Sequence, residues 1–360
     1  MSLAKNDNEK GFLFTNYAAM LVQKGDWGRA LPMARKALAF RPDRPKARGN
    51  LGLALMALGQ WKEGWPMYDA IIGFDKSRRK MQYVNEQTWN GKKGRSVVIY
   101  EEQGIGDCIS FASMVPDAIR DCHKVILDVS PKLENLFRRS FPQATVYGSI
   151  TGLGKDWRRD HRIDASISIG GLGKFYRPSP ESCPGTPYLK ADPDRVTMWK
   201  GLFRSFGKPV IGVAWTGGLD HTGAKYRKFS LEQLMPLFRM DAVFVSLQYK
   251  DAQAEIDAFR KRHPEVDIRQ FPFGTLTDDY DDTAAMVSAL DVTVALPTSV
   301  VHLAGALGAP CVAMKAKIAC WKFNCGLPFH RENMTLVDHE GDWDGTIRKT
   351  AEVVKERLGV

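Results

Sequence analysis

The chain has 360 residues, a length that corresponds to two or three domains at ~100–200 residues each. Apolar residues make up 44% and charged residues 26%, which excludes a mainly disordered chain. No run approaches ~18 apolar residues, and MSLAKNDNEK at the start carries no apolar signal core, so the expectation is a cytoplasmic protein without a transmembrane segment. The six cysteines, Cys108, Cys122, Cys183, Cys311, Cys320 and Cys325, show no CxxC spacing and read as reduced thiols, with no metal site among them. The formal net charge is +10, and its distribution is uneven. Residues 1–100 carry 18 Lys+Arg against 8 Asp+Glu, while the other 260 carry 33 of each. A basic patch in the N-terminal segment either attracts an anionic partner or forms a solvated helical face. No nucleic-acid module accompanies it, so nucleic acid is not an expected partner.

The first predicted elements are helical. Two segments match at an offset of 34 residues: Gly25-Asp26-Trp27 recurs as Gly59-Gln60-Trp61, Asn16 as Asn50, Leu21 as Leu55 and Ala18 as Gly52. That period, with small residues at fixed positions, is the tetratricopeptide pattern of paired antiparallel helices. Ala18, Ala30, Ala37, Gly52 and Gly64 fall where helices touch. Gly25 and Gly59 fall at turns, and Pro42 follows the first unit. Two repeats are too few to stand alone, so the next domain must cap them. The segment is either a concave protein-binding surface or a structural cap.

From residue 95 short β-branched runs alternate with helix-length segments. Strands are predicted at 95–100, 124–129, 144–147 and 164–169, then at 209–215, 242–247, 266–270, 291–296 and 311–314. Alternation of this kind builds parallel sheets, and two series argue two doubly wound domains. The proline-rich stretch 177–195 reads as the linker. The predicted division is 1–80 helical repeats, 81–195 a first α/β domain and 196–360 a second. Ligands of such folds sit at the carboxyl ends of the strands, here in the cleft between the halves.

Three motifs fall at strand ends. Glu101-Glu102-Gln103-Gly104-Ile105-Gly106-Asp107 follows the first strand and opens a helix, with Asp107 placed to cap it. Trp215-Thr216-Gly217-Gly218 leads into a polar loop with His221, Lys225, Arg227 and Lys228, either a phosphate site or a mobile basic loop, and Ser230 caps a new helix after it. Pro297-Thr298-Ser299 opens a helix that continues Val300-Val301-His302-Leu303-Ala304-Gly305. Free N–H groups at such a start either take a hydroxyl cap or bind phosphate. His302, one turn in, points toward the same ligand or serves as a structural residue.

Taken in order, QGIGD, VAWTGG, SLQ at 246–248, DDTAAM at 281–286 and TSVVHLAGALGAP at 298–310 resemble the bacterial tetratricopeptide-linked glycosyltransferases. These are similar to glycosyltransferase family nine, the heptosyltransferases, and more distantly to the O-linked N-acetylglucosamine transferases. The resemblance covers about residues 10–340. It implies a GT-B architecture of two facing Rossmann-like domains, with a nucleotide-sugar donor on the second, no cofactor and no metal, and a final helix near Trp343–Leu358 crossing back to the first domain. It implies an inverting transfer to an acceptor hydroxyl with Asp107 as base. Glu102 is the reserve for that role, followed by His123. Thr298, Ser299, His302, Thr216 and a cation among Lys225, Arg227 and Lys228 are implied at the donor diphosphate. Gln248, Asp282 and Thr283 are implied near the nucleoside, and Gln103, Gly104, Gly106 and Glu102 on the acceptor-side loop. An acidic acceptor protein or a glycan is the expected partner of the basic repeats. Two departures lie on the donor side: relatives read Asp-Thr or Asp-Ser where this chain has Pro297-Thr298, and the aromatic-rich loop after Cys311 is replaced by a segment containing Trp321 and Phe323. They give an alternative reading, a binding scaffold on a degenerate transferase domain.

Overall fold

The computed structural model describes residues 6–74, 78–83, 87–150, 156–218 and 227–359. The chain opens with two helical hairpins, α1 (Asp7–Gln23) with α2 (Trp27–Phe40) and α3 (Pro45–Ala57) with α4 (Trp61–Tyr68). Gly25 and Gly59 turn each hairpin with φ of 70° and 75°, the left-handed region that glycine enters without strain. The small residues act as expected. Ala18, Ala30 and Ala37 are fully buried, and a Cβ on Gly52 would collide with the backbone of Tyr68.

The two hairpins differ in what they bury. α1 and α2 close small clusters with α3, around Ala18, Ala34, Leu51 and Leu55 and around Leu21, Ala30 and Ala54. Trp61 and Trp65 of α4 instead enter the main core. Their rings pack edge-on and stacked against each other, Trp321 and Phe329, at centroid separations of 5.3–5.7 Å. Trp65 also meets Phe111 at 6.0 Å and donates its indole N–H to the Arg177 carbonyl at 2.7 Å. The second hairpin is thus built into the α/β body.

Among the described residues eleven strands form two wholly parallel sheets. The first contains β1 (Gln87–Thr88), β2 (Ser96–Tyr100), β3 (Lys124–Asp128), β4 (Thr145–Tyr147) and β5 (Ala165–Ser168), in the order β1-β5-β2-β3-β4. The second contains β6 (Val210–Ala214), β7 (Val243–Ser246), β8 (Ile268–Arg269), β9 (Val292–Ala295), β10 (Cys311–Met314) and β11 (Met334–Val337), in the order β11-β10-β9-β6-β7-β8. That second order is the doubly wound one. It reverses direction between β6 and β9, and the crevice outside the carboxyl ends of those two strands is where ligands of such sheets bind. β2, β6 and β10 are buried along their whole length, as strands covered on both faces must be.

Two strands fall outside the predicted set, β1 and β11. β1 is two residues long and exposed, so it carries no apolar run. β11 is only partly buried at the edge of its sheet. The proline-rich 177–195 stretch is not a loose connector. Its Tyr188 and Leu189 amides both donate to the Ala306 carbonyl at 2.9 Å, and the Tyr188 hydroxyl donates to the Ile109 carbonyl at 2.7 Å.

The last helix, Trp343–Leu358, corrects another expectation. Its apolar side, Ile347, Ala351 and Val354, joins the cluster on its own sheet with Phe229, Val312, Met314 and Val337, and it packs on β10 and β11 rather than crossing back. The element that reaches back is the short helix Trp321–Asn324, which lies on α3: Asn324 donates to the Ala57 carbonyl at 2.8 Å. Aromatic burial decides this, because Trp321 finds its ring partners on α4, on the helix after β2 and at Phe329, while Phe323 packs against His302. No described helix is long and apolar enough to cross a membrane.

Candidate functional site

The helix after β2, α5 (Ile105–Ala112), starts at Ile105 with Gly104 as its cap residue. Asp107 therefore lies in the first turn and caps nothing, contrary to the capping expectation. Its carboxylate ion-pairs with the Lys322 ammonium. Lys322 is 3% exposed and Asp107 37%, so the pair has one dry end and one end open to solvent. The Lys322 ammonium also lies 4.8 Å from the Phe111 ring centroid. Burial opposes the charge on Lys322, but Asp107 leads the charges that favour it, and the lysine stays protonated with its pKa above the usual value.

Gly106 is small for a reason the sequence did not reveal. A Cβ there would lie 3.2 Å from Ser299 Cα and 3.3 Å from His302 Cδ2. α5 crosses the Ser299–Leu307 helix at this point, and the crossing brings the first and third motifs together. Gly104 meets no such neighbour.

Thr298 is the cap residue of the Ser299–Leu307 helix but makes no side-chain cap bond, and its buried hydroxyl oxygen has no partner among the described residues. The Ser299 hydroxyl is the acceptor of the Tyr280 O–H at 2.8 Å, and burial pushes the Tyr280 phenol up to about 12. The first N–H groups of this nine-residue helix therefore carry no side-chain cap, with the positive end of its dipole beside the switch-point crevice. Arg227 approaches the same place and donates to the Pro297 carbonyl at 2.9 Å. Burial lowers its pKa, an effect opposed by Cys320, Asp107 and Tyr249. Here Thr216 is bridged antiparallel to Lys228, and the Gly217 amide donates to the Arg227 carbonyl at 2.9 Å. Gly217 permits its close approach to the donor helix, since a Cβ would strike the Thr298 methyl. Lys228 contributes its backbone while its side chain is exposed, and Lys225 and His221 lie outside the described residues.

A partly open cleft lies at this point, lined by Thr216, Gln248, Tyr249, Thr283, Thr298 and Ser299 among others. Gln248 and Thr216 hold each other through the amide and hydroxyl. Tyr249, 48% exposed, presents its ring at the rim. Thr283 donates to the Gly274 carbonyl at 2.8 Å.

Four expected site residues are placed elsewhere. Asp282 ion-pairs with Arg195 and does not line the cleft, because neighbouring helices need their charges matched where they pack. Glu102 is sealed in an ion pair with Arg78 at 2.9 Å. Burial raises its pKa against the pull of Arg78, and no acceptor reaches it. His302 is buried against His330, Nδ1 to Nε2 3.2 Å, and against Phe323, so it faces the helix crossing rather than the cleft. His123 is exposed just before β3, at the opposite end of the sheet from Asp107.

The buried histidines carry a prediction. Burial first and the Lys322 charge second hold His330 down to about 3, and His302 also lies well below 6.5. Unfolded, these rings take up protons near 6.5; folded, His330 does so only near 3. Their contribution to stability is complete above pH 6.5 and falls as the pH drops from there toward 3, for His330 by on the order of 1 kcal/mol per pH unit. Urea midpoints at pH 7 and pH 4.5 test this. A His302→Gln/His330→Gln variant should lose less between the two, and an unchanged loss would remove the histidines as the cause.

Solved structures share this two-sheet arrangement. The family-nine glycosyltransferase of Veillonella parvula superposes with a TM-score of 0.54 at 10% identity, covering 77% of this chain and 100% of its own. The ADP-heptose lipopolysaccharide heptosyltransferase II of E. coli gives 0.50 at 12% identity, covering 73% and 97%. The chain has the GT-B-like fold of the family-nine glycosyltransferases. A mutant O-GlcNAc transferase of Thermobaculum terrenum is a more distant likeness, with a TM-score of 0.37 at 16% identity over 97% of this chain and 79% of that one. Among curated proteins, Protein FlbA of Caulobacter vibrioides is 30% identical over 323 residues, 84% of this chain and 54% of FlbA, so the chain spans about half the length of that relative. No family model matches.

Beside this GT-B-like frame, sequence reasoning missed Lys322, Arg78, Tyr68, Tyr280 and Tyr249. Lys322 follows Trp321 in the segment already marked as a departure, which was the only available signal. The others meet the motifs through packing alone.

Proposed function

We propose that the chain is an inverting glycosyltransferase that moves a sugar from a nucleoside-diphosphate donor to an acceptor hydroxyl. The observation that carries this reading is the uncapped start of the Ser299–Leu307 helix, which meets the switch-point cleft with Arg227 bonded to the Pro297 carbonyl beside it. A diphosphate placed there accepts the free N–H groups and faces a guanidinium. Gln248 and the exposed ring of Tyr249 are left for the nucleoside. Asp107 stands across the helix crossing as the base. It takes the proton of the acceptor hydroxyl, the oxygen attacks the anomeric carbon, and the bond from that carbon to the diphosphate breaks. The negative charge that develops on the leaving nucleoside diphosphate is met by the helix start and Arg227.

The acceptor is proposed to be an acidic protein or a glycan, drawn by exposed cations of the outer hairpin such as Lys24, Lys36 and Arg41. A second reading, a scaffold that binds nucleotide without turnover, has in its favour Pro297 at the donor helix and a base already paired with Lys322.

A thermal-shift panel of ADP, UDP and GDP tests the donor site, since a ligand bound only by the folded state raises the midpoint. At least one should stabilise the protein. Arg227→Ala should weaken that nucleotide by about tenfold, equivalent to about 1.4 kcal/mol. Thr298→Ala/Ser299→Ala should weaken it while leaving the fold intact, because Thr298 makes no cap bond to lose and Ser299 gives up only the bond from the Tyr280 hydroxyl. Unchanged affinity in both folded variants would remove this site. Release of nucleoside diphosphate from a nucleotide sugar separates the transferase from the scaffold.

A further inference from the structure

Tyr68 closes α4, the last helix of the repeats, and Arg78 follows within the next ten residues. Arg78 is buried, with its guanidinium 4.0 Å from the Tyr68 ring centroid and bonded to Glu102 and Asp69. Both residues converge on Gln103. Arg78 can only donate and the Asp107 carboxylate can only accept, which settles the orientation of the amide between them. The Gln103 oxygen accepts from Arg78 Nε at 2.8 Å and from the Tyr68 hydroxyl at 2.8 Å, and its nitrogen donates to Asp107 Oδ2 at 3.2 Å. Lys322 holds the other carboxylate oxygen, Oδ1. Asp107 is therefore gripped on both oxygens, by the second half through Lys322 and by the repeat segment through Gln103.

We propose that Tyr68, carried by the helical repeats, is a positioning residue for Asp107, acting through the side-chain amide of Gln103. This rests on Asp107 being the base. The repeats then do more than complete a core. They hold the carboxylate in the rotamer that faces the acceptor, so a rearrangement of the repeats on binding a partner reaches the reacting atoms through three side chains. Arg78 and Asp107 fix which way the Gln103 amide faces, and the Tyr68 hydroxyl adds a second donor to its oxygen and holds it in place. Tyr68 and Arg78, the buried members of this network, are both hydrogen-bonded, and a satisfied buried pair holds one geometry.

The test is a double-mutant cycle on hydrolysis of a nucleotide sugar, using whichever of ADP-heptose, UDP-N-acetylglucosamine and GDP-mannose the parent chain turns over fastest. Tyr68→Phe keeps the ring under Arg78 and removes only the hydroxyl. It should lower kcat by about tenfold with KM for the donor and the thermal midpoint near the parent values, since misplacing a reacting group is felt in the chemical step. In the Asp107→Asn background Tyr68→Phe should cost nothing further, because the group it positions is gone. A parent-like kcat in Tyr68→Phe, or a loss that multiplies with that of Asp107→Asn, overturns the positioning role while leaving the base intact. A parent-like rate in Asp107→Asn alone, or no turnover of any of the three donors, instead overturns the underlying reading and this inference with it.

Discussion

Asp107→Asn should retain about one hundredth or less of the parent transfer rate while binding nucleotide as before. General-base catalysis contributes about 10²–10⁴-fold, and an amide cannot take the proton. The substitution also has a structural cost that Lys322 makes visible. Asp107 is ion-paired with a lysine only 3% exposed. Removing one partner of a buried pair costs up to ~3–5 kcal/mol, and less here because the Asp107 end is 37% exposed and already screened by solvent. The thermal midpoint of Asp107→Asn should therefore fall. Adding Lys322→Met replaces the stranded charge with an apolar chain that suits Phe111 and Trp321, and should restore the midpoint without restoring transfer. Recovery of both together would mean that the aspartate serves the fold and not the chemistry. Transfer at the parent rate in Asp107→Asn would end its role as base. Glu102 and His123 would be poor successors, one sealed against Arg78 and the other at the far end of β3.

Deletion of residues 1–80 should abolish folding rather than merely acceptor use. The deletion removes Trp61 and Trp65, both fully buried, and strips the rings from one side of Phe111, Trp321 and Phe329. Loss of a buried tryptophan costs ~3–5 kcal/mol, and two such losses match much of the ~5–15 kcal/mol by which a domain is stable. Trp65→Ala alone should lower stability by about 3–5 kcal/mol, read from urea midpoints, and it also loses the indole bond to Arg177. Deletion of residues 1–40 is the contrasting case. The first hairpin closes mainly small alanine- and leucine-lined clusters with α3 and adds to the main core the half-buried Trp27, and its loss should leave a folded chain. If that shorter chain hydrolyses donor but no longer uses its acceptor, the outer hairpin is the recruiting surface. If the 1–80 deletion folds and hydrolyses donor at the parent rate, the repeats are an appendage, and the proposed link through Tyr68 fails as well.

The sequence alone determined whatever depends on neighbours along the chain. The 34-residue offset gave the hairpins, since helix contacts within a repeat need small residues at fixed spacing. The β-branched runs gave nine of the eleven described strands, most directly β2, β6 and β10, because a strand buried on both faces is apolar throughout. The glycines and hydroxyls at strand ends marked the loops that line the cleft, for ligands of parallel sheets gather there. The tertiary structure decided everything that depends on which distant surfaces meet. Gly106 is explained by Ser299 and His302, residues far along the chain that the helix crossing brings against it. Lys322 became the partner of Asp107 only because Trp321 carried its segment onto α4 and α5. Asp282, beside the cleft motifs in sequence, was drawn to Arg195 by helix packing. Glu102, next to Gln103 in sequence, is sealed in the core against Arg78. Short-range periodicity fixes which side chains face inward, but a charge takes as its partner whatever opposite charge burial brings within reach. That choice is made by the long-range packing of aromatic rings, which no local pattern records.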